Sequence, residues 1–238
     1  MDGIATQCGM TAQAMIGPFS PLDLSPLVWL DISDPGTVFD SDFGGVEVSD
    51  QDPIGLITDK SGNGNDAAQS VSANRPIYHA SHTLAGGPAM DRNAGTYSYV
   101  TVPQIAAREI VIVTAHSETV FSSYQVLLGG PGSNDQYRLM SNNFGSEWWD
   151  GSRTLTTDGV GKNGGANSLT ALPMPLAALH LTVGAVVGNQ SYNIGSSKTH
   201  NRKWRGPICE VLFFPSALSS TDRTNLVNYL VLKWAITV

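Results

Sequence analysis

Any chemistry in this chain has to come from its aromatic rings, its acids or its histidines, and their spacing favours the rings. Trp148 and Trp149 are adjacent, so on a strand one would face inward and the other outward. Together with Tyr137, Tyr192 and Trp204, the outward ring predicts a stacking platform for a sugar. A sugar offers an apolar C–H face to an aromatic plane, and Asn, Asp and Gly loops can hydrogen-bond its hydroxyls. The competing assignment for the same rings is core or subunit-interface anchoring, where Trp and Tyr are also enriched.

The acids are less suited to catalysis. A retaining glycosidase needs two carboxylates about 5–5.5 Å apart, which on a strand means positions i and i+2 or i+4. Glu147 and Asp150 are three apart and would point to opposite faces. His79, His82, His116, His180 and His200 are scattered, and no Glu or Cys completes a metal-ligand pattern around them. Gly151-Ser152 and Gly195-Ser196 lack a nucleophile-elbow motif. No catalytic residue is expected. Asp59 and Asp66 enclose the turn Lys60-Ser61-Gly62-Asn63-Gly64-Asn65. Asp59 can accept bonds from the N–H groups of that turn; with Asp66 it is alternatively a calcium candidate, although the spacing is not that of an EF-hand. No other cofactor is expected.

The elements that must position these residues are mostly short strands. Leu27-Val28-Trp29-Leu30 is closed by the turn signal Ser33-Asp34-Pro35-Gly36. Ile110 to Thr114 is a β-branched run that reads as a buried central strand. Val120 to Leu128 pairs with Gln136 to Met140 as a hairpin, and Leu179 to Val187 pairs with Gln190 to Ile194 as another, around Gly188-Asn189. Residues 150–169 read as a long loop or weak hairpin. The clearest signals come last. Ile208 to Phe214 is a strand stopped by Pro215, and Ser219 or Ser220 caps a helix whose Leu226, Leu230 and Trp234 form one apolar stripe. One such helix after a β chain is expected to cover the edge or end of a sheet.

Composition sets the remaining bounds. With 238 residues, 41 % hydrophobic and only 14 % charged, the chain suits one large β domain. Residues 1–24 show no periodicity and read as an extended attachment arm, and residues 25–238 as the domain. A formal charge of −7 repels phosphate backbones, so nucleic acid is not an expected partner. Arg202, Lys203 and Arg205, flanking Trp204, form the basic cluster of the chain. Leu176 to Val187 is broken by His180 and too short to span a bilayer, so no membrane insertion is expected. Cys8 and Cys209 read as free thiols.

Trp29-Leu30-Asp31, the Asp59-to-Ala67 turn, Arg75-Pro76, Asn193-Ile194-Gly195 and the stretch Gly206 to Trp234 together resemble the concanavalin A-like (laminin-G-like) jelly-roll modules, over about residues 25 to 236. The resemblance implies an all-β, two-sheet antiparallel jelly-roll sandwich with a short C-terminal helix. The laminarinase-type enzymes of this fold have Glu-x-Asp-x-Glu on one strand, and the lyases an Arg/Glu/Arg strand; neither is found here. Modules of this type are frequent in bacterial surface proteins and in bacteriophage virion proteins. The arm and the absence of a signal-like N-terminus resemble the phage setting more. The expected function is a non-enzymatic virion surface component (decoration, head-fibre or tail-associated), assembled in the host cytoplasm. It would attach to other virion proteins through the arm, as a monomer or homo-oligomer, and adhere to host-surface glycans. The alternative is a carbohydrate-binding module of a bacterial surface protein, and behind it a polysaccharide hydrolase or lyase.

Overall fold

The run Glu109–His116 is buried at every position, which a strand achieves only when both faces of its sheet are covered. The computed structural model describes residues 18–95, 97–119, 124–129, 139–141, 148–150, 157–162, 173–183, 190–197 and 202–237; at 139–141, 148–150, 157–162, 182–183 and 190 only the backbone is described. In chain order the strands are β1 (Val28–Asp31), β2 (Val38–Phe39), β3 (Leu56–Ile57), β4 (Ala67–Ala68), β5 (Ile77–His82), β6 (Gly87–Asp91), β7 (Val100–Ile105), β8 (Glu109–His116), β9 (Val126–Gly129), β10 (Leu139–Ser141), β11 (Trp148–Asp150), β12 (Thr157–Lys162), β13 (Met174–Val183), β14 (Gln190–Ile194) and β15 (Ile208–Phe214). Helix α1 (Ser220–Trp234) follows.

One sheet has the order β12-β13-β8-β15-β6-β5, with β1 also on β15; the other runs β11-β10-β9-β14-β7-β4-β3-β2. All their pairings are antiparallel. This is an all-β, two-sheet sandwich with a C-terminal helix, as the sequence predicts. Between the sheets, Ile110, Ile112, Leu179, Val211 and Phe213 meet Val100, Val102, Leu127, Tyr192 and Ile194. Alternate residues of β8, Val111, Val113 and Ala115, join Trp29, Leu212 and Phe214 in a second apolar layer that Leu226, Leu230 and Trp234 of α1 complete. The helix therefore covers a sheet face rather than an edge. The reason is in β8 and β15, whose two apolar sides both need a partner. Ser219 caps the helix by accepting the Asp222 N–H at 3.1 Å.

Three expectations need correction. The predicted hairpin of residues 179–194 does not form: β13 pairs with β12 and β8, whereas β14 pairs with β7 and β9 in the opposite sheet. Leu179 and Leu181 of one strand and Tyr192 and Ile194 of the other all enter the inter-sheet core, so the two strands stand on opposite walls of it. Within the stretch read as a loop or weak hairpin, residues 157–162 form β12, paired along β13. The end of the expected arm is folded. Pro21–Leu24 is a 3-10 helix with a reciprocal Ser20/Asp23 capping box, and Phe19 and Leu24 pack against the α1 layer. Their apolar side chains bury area there that an extended arm would leave in water. Residues 1–17 lie outside the described residues.

Candidate functional site

The predicted aromatic platform is not assembled from Tyr192 and Trp204. Tyr192 is only 3 % exposed, with its ring 5.1 Å from that of Phe213 in the inter-sheet core. Trp204 is 1 % exposed, and its Nε1 donates to Thr114 Oγ1 at 2.9 Å; that hydroxyl in turn donates to the Pro207 carbonyl at 2.6 Å. The His116 ring stands edge-on to it at 4.7 Å. The physical reason is economy of burial: the large ring turns inward, where its one polar atom finds an acceptor, and the basic residues on either side of it take the partly exposed positions. Trp148 and Trp149 lie on β11, opposite Ser141 and Met140. Tyr137 lies outside the described residues.

The Asp59 turn has the local role. Asp59 Oδ1 accepts the N–H groups of Trp29 and Ser61, both at 2.9 Å, and Oδ2 accepts Ser61 Oγ at 2.7 Å and the Asn65 N–H at 3.0 Å. Asp66 Oδ1 takes the Asp59 N–H at 2.8 Å. Asn63 and Asn65 donate to the carbonyls of Pro26 and Leu27, while Gly62 and Gly64 supply the positive φ of the turn. With its acceptor positions occupied by these donors, Asp59 is not arranged as a calcium ligand; the turn staples the start of β1.

Two buried acid networks escaped the sequence reading. Asp31 of β1 stands directly opposite Glu210 of β15, and Lys233 of α1 lies between them, 2.7 Å from Asp31 Oδ1 and 2.9 Å from Glu210 Oε2. Trp29 Nε1 and Trp234 Nε1 donate to the two oxygens of Glu210 at 2.7 and 2.6 Å. Lys60 joins Asp31 to Asp34 at 3.0 and 2.7 Å. Burial pushes the Glu210 carboxyl up, while Lys233 and the indole of Trp234 oppose the shift. Burial acts on Asp31 in the same direction, but Lys233, Ser33 and Lys60 outweigh it and hold that carboxyl below its usual range. Such divergence can mark an acid/base pair. Here both groups are buried under the helix, and the network fastens α1 to the sheet.

The second network is centred on Glu109, which is fully buried. Arg223 donates to its two oxygens at 3.0 and 2.9 Å, and the Leu218 N–H donates at 2.7 Å. His180 Nδ1 lies 3.3 Å away. Burial pushes this carboxyl up, but the bonds from His180, Arg223 and Leu218 hold it down at about 2. Among the described residues, His180 Nε2 is buried without a partner. Placing the proton on Nδ1 leaves Nε2 as a bare lone pair, a cheaper orphan than an N–H.

Acids at i and i+2 do occur, as Asp40/Asp42 and Asp50/Asp52, but in turns and bends rather than on a strand. Their oxygens hold Val46 N–H, Arg75, Ala80 N–H and Ser49 N–H.

The cleft with open polar groups lies where Met90 and Ile208, paired across β6 and β15, approach Ile194 of the other sheet. Its interior is about 10 Å³, room for about one water; Met90, Ile194, Ile208, Trp204 and Ser98 in its lining are buried, and Asp91 and Arg92 are the half-buried and exposed residues at its rim. Its walls are held close by glycines. Gly195 has φ 99°, and a Cβ on Gly206 would lie 1.9 Å from the Ala115 carbonyl oxygen. Lys203 fixes the neighbouring turn by donating to the carbonyls of Asn93 and Gly95. Asn93 in turn donates to Ala73 and Arg75 carbonyls at 2.9 and 2.6 Å. One carboxylate lines the cleft, Asp91, with Oδ1 on the Arg92 N–H at 2.6 Å and Oδ2 3.5 Å from His82. This arrangement can hold a small polar ligand, and it lacks the second carboxylate of a glycosidase pair. No signal in the sequence marked it, because its lining comes from separate stretches between Pro76 and Ile208.

No known protein-family model matches the chain, and no curated protein matches it. Among solved structures it is similar to domain 4 of an extracellular arabinanase from Geobacillus stearothermophilus, solved with arabinotriose: 16 % identity and a TM-score of 0.41, over 71 % of this chain and 92 % of that one. It is also similar to the Trypanosoma rangeli sialidase in complex with the inhibitor DANA, at 12 % identity and a TM-score of 0.41, over 84 % of this chain but 32 % of the sialidase. With the same sialidase in complex with sialic acid the identity is 15 % and the TM-score 0.39, over 89 % of this chain and 33 % of that one.

Proposed function

We propose that this protein is a non-catalytic β-sandwich module that binds carbohydrate at the cleft between its two sheets. The observation behind the reading is the rim of that cleft, where Asp91 and the exposed Arg92 stand over its buried apolar floor. Such polar groups suit the hydroxyls of a sugar. With an interior of about 10 Å³, against the roughly 300–1,000 Å³ of whole small-molecule sites, the cleft takes no ring, and a glycan would be read by the groups at its rim. A single acid in the lining supports binding over hydrolysis. A glycan array followed by calorimetry tests this. Asp91→Ala should weaken binding about tenfold or more at an unchanged melting temperature. Retention of no glycan at millimolar concentration rejects the reading; loss on Trp148→Ala or Trp149→Ala, with Asp91→Ala neutral, moves the site to β11.

The setting we propose is the surface of a bacteriophage virion, with residues 1–17 as the attachment segment. It is favoured by the docking of Phe19 against Tyr229, ring centroids 6.2 Å apart, at the start of the folded part. The segment ahead of it has no apolar periodicity. Deleting residues 2–17 should abolish incorporation into particles while the sandwich still folds; normal incorporation rejects this setting.

A further inference from the structure

We infer that Phe43, at the tip of the turn formed by residues 40–46, is a stacking platform for one ring of a neutral sugar. The inference rests on the reading that the protein binds carbohydrate, and it supplies the apolar face that the cleft rim lacks.

The first observation is an aromatic ring left in water by a turn that is fixed in place. Phe43 is 93 % exposed and Val46 of the same turn 71 %, whereas Trp29, Trp204, Phe213 and Phe214 are buried. Arg75 clamps the turn from the side: Nη1 donates to the Asp40 carbonyl at 2.6 Å and Nη2 to Asp42 Oδ1 at 3.1 Å. Asp40 closes it, with Oδ1 accepting the Val46 N–H at 3.0 Å and its own N–H donating to the Val46 carbonyl at 3.0 Å. Gly44 and Gly45 have φ of 97° and 35°, and a Cβ on Gly45 would lie 2.2 Å from Asp40 Oδ1, so the tip is built for glycine. A ring presented on a turn held this way has little freedom to lose when a ligand settles on it.

The second observation is what surrounds the ring. One Phe side chain offers about 150–250 Å², against roughly 800 Å² per partner in a stable protein interface. The turn is therefore matched in size to a single ring and not to a folded partner, and the C–H face of a sugar is the polar ligand's surface that stacks on an aromatic plane. Asp42 directly precedes Phe43, and Asp40 and Glu47 flank the turn. Asp40 and Asp42 each spend Oδ1 on the turn itself, and among the described residues Oδ2 of neither has a donor, so both can accept sugar hydroxyls. Three carboxylates around the ring repel an acidic sugar, which makes the class neutral. Arg75 also joins the turn to the cleft, since its carbonyl accepts from Asn93 at 2.6 Å and Pro76 beside it lines the cleft.

The test is calorimetry on the full-length protein with malto-, xylo-, cello- and manno-oligosaccharides and an oligogalacturonate of equal length. At least one neutral sugar should bind more tightly than the uronate, and its affinity should not fall as salt rises, because no ion pair holds it. Phe43→Ala should weaken that binding about tenfold or more, and Phe43→Trp should retain it. Both variants should melt with the wild type, because the side chain is exposed. Unchanged neutral-sugar binding in Phe43→Ala overturns the inference, and if Asp91→Ala abolishes that binding the carbohydrate reading stands without it. Loss in Phe43→Ala with Asp91→Ala neutral supports the inference and moves the sugar from the rim to the turn. Uronate binding as tight as that of the neutral sugars overturns the assignment of class. A melting temperature lowered by Phe43→Ala places the ring in packing and overturns the platform. Retention of none of the sugars at millimolar concentration rejects both readings together.

Discussion

Lys233→Met isolates what the network under α1 contributes. The substitution keeps most of the aliphatic stem and removes the ammonium lying 2.7 Å from Asp31 and 2.9 Å from Glu210. At an effective dielectric near 20, each contact is worth about 6 kcal/mol of gross attraction, most of it offset by the desolvation of the charges. Breaking a buried pair by removing one partner nets about 3–5 kcal/mol, because uncompensated charge is left inside. The stacking of the ammonium over Tyr229 and Trp234, at 5.6 and 5.2 Å, adds roughly 0.5–1 kcal/mol. At about 2–4 °C per kcal/mol for a domain of this size, the melting temperature should fall by roughly 7–24 °C at pH 7.5. The loss should depend on pH. Burial and Asp31 raise the Glu210 carboxyl, and without Lys233 it is raised further. A raised acid binds a proton in the folded state before the unfolded chain does, so folded-state stability improves as pH falls. The deficit of the variant should therefore shrink between pH 8 and pH 5, and Lys233→Arg should retain part of the stability. Scanning calorimetry at pH 8, 6.5 and 5 measures this. A fall under about 3 °C, or a deficit independent of pH, would refute the reasoning.

Glu109, held at about 2 against an ordinary 4.5, contributes roughly 3 kcal/mol of stability that is fully present above pH 4.5 and lost as pH falls through 2. Denaturant titrations across that range should show the loss, and Arg223→Ala should move it to higher pH. Asp59→Ala removes the acceptor for the Trp29, Ser61 and Asn65 N–H groups and should cost about 2–4 kcal/mol in urea titration; EDTA or calcium should leave the wild-type melting temperature unchanged. Gly206→Ala should cost about 3 kcal/mol, since the added methyl meets the backbone oxygen of Ala115 at 1.9 Å. Trp204→Ala should destabilise by about 3–5 kcal/mol, and a loss of binding with no change in melting would contradict the buried position of the ring.

Legibility followed the range of the interactions. Ser219 and Asp222 cap α1 within one turn, and Asp59, Ser61 and Asn65 close their loop within six residues, so neighbours in the chain revealed both. The burial of β8 was equally readable, because a continuous β-branched run needs cover on two sides; for β15 the sequence indicated a strand, and the structure shows both its faces covered. The cleft was not. Asp91 ends and Arg92 follows a short strand with a proline in it, Gly87–Asp91, and nothing in their order points to Ile194 or Ile208.

By itself, the sequence determined the all-β sandwich with its closing helix, since alternation, turn glycines and caps are local properties that every compact arrangement has to respect. The tertiary structure decided which polar groups meet. Trp29 and Glu210 are 181 residues apart and share a 2.7 Å hydrogen bond, and Glu210, lone on its own strand, acquires Asp31 and Lys233 as neighbours only through strand pairing and helix docking. It also turned Trp204 into the core, because burying that ring with a partner for its indole N–H is worth more than displaying it. The charged residues on either side of it, Lys203 and Arg205, are left partly exposed.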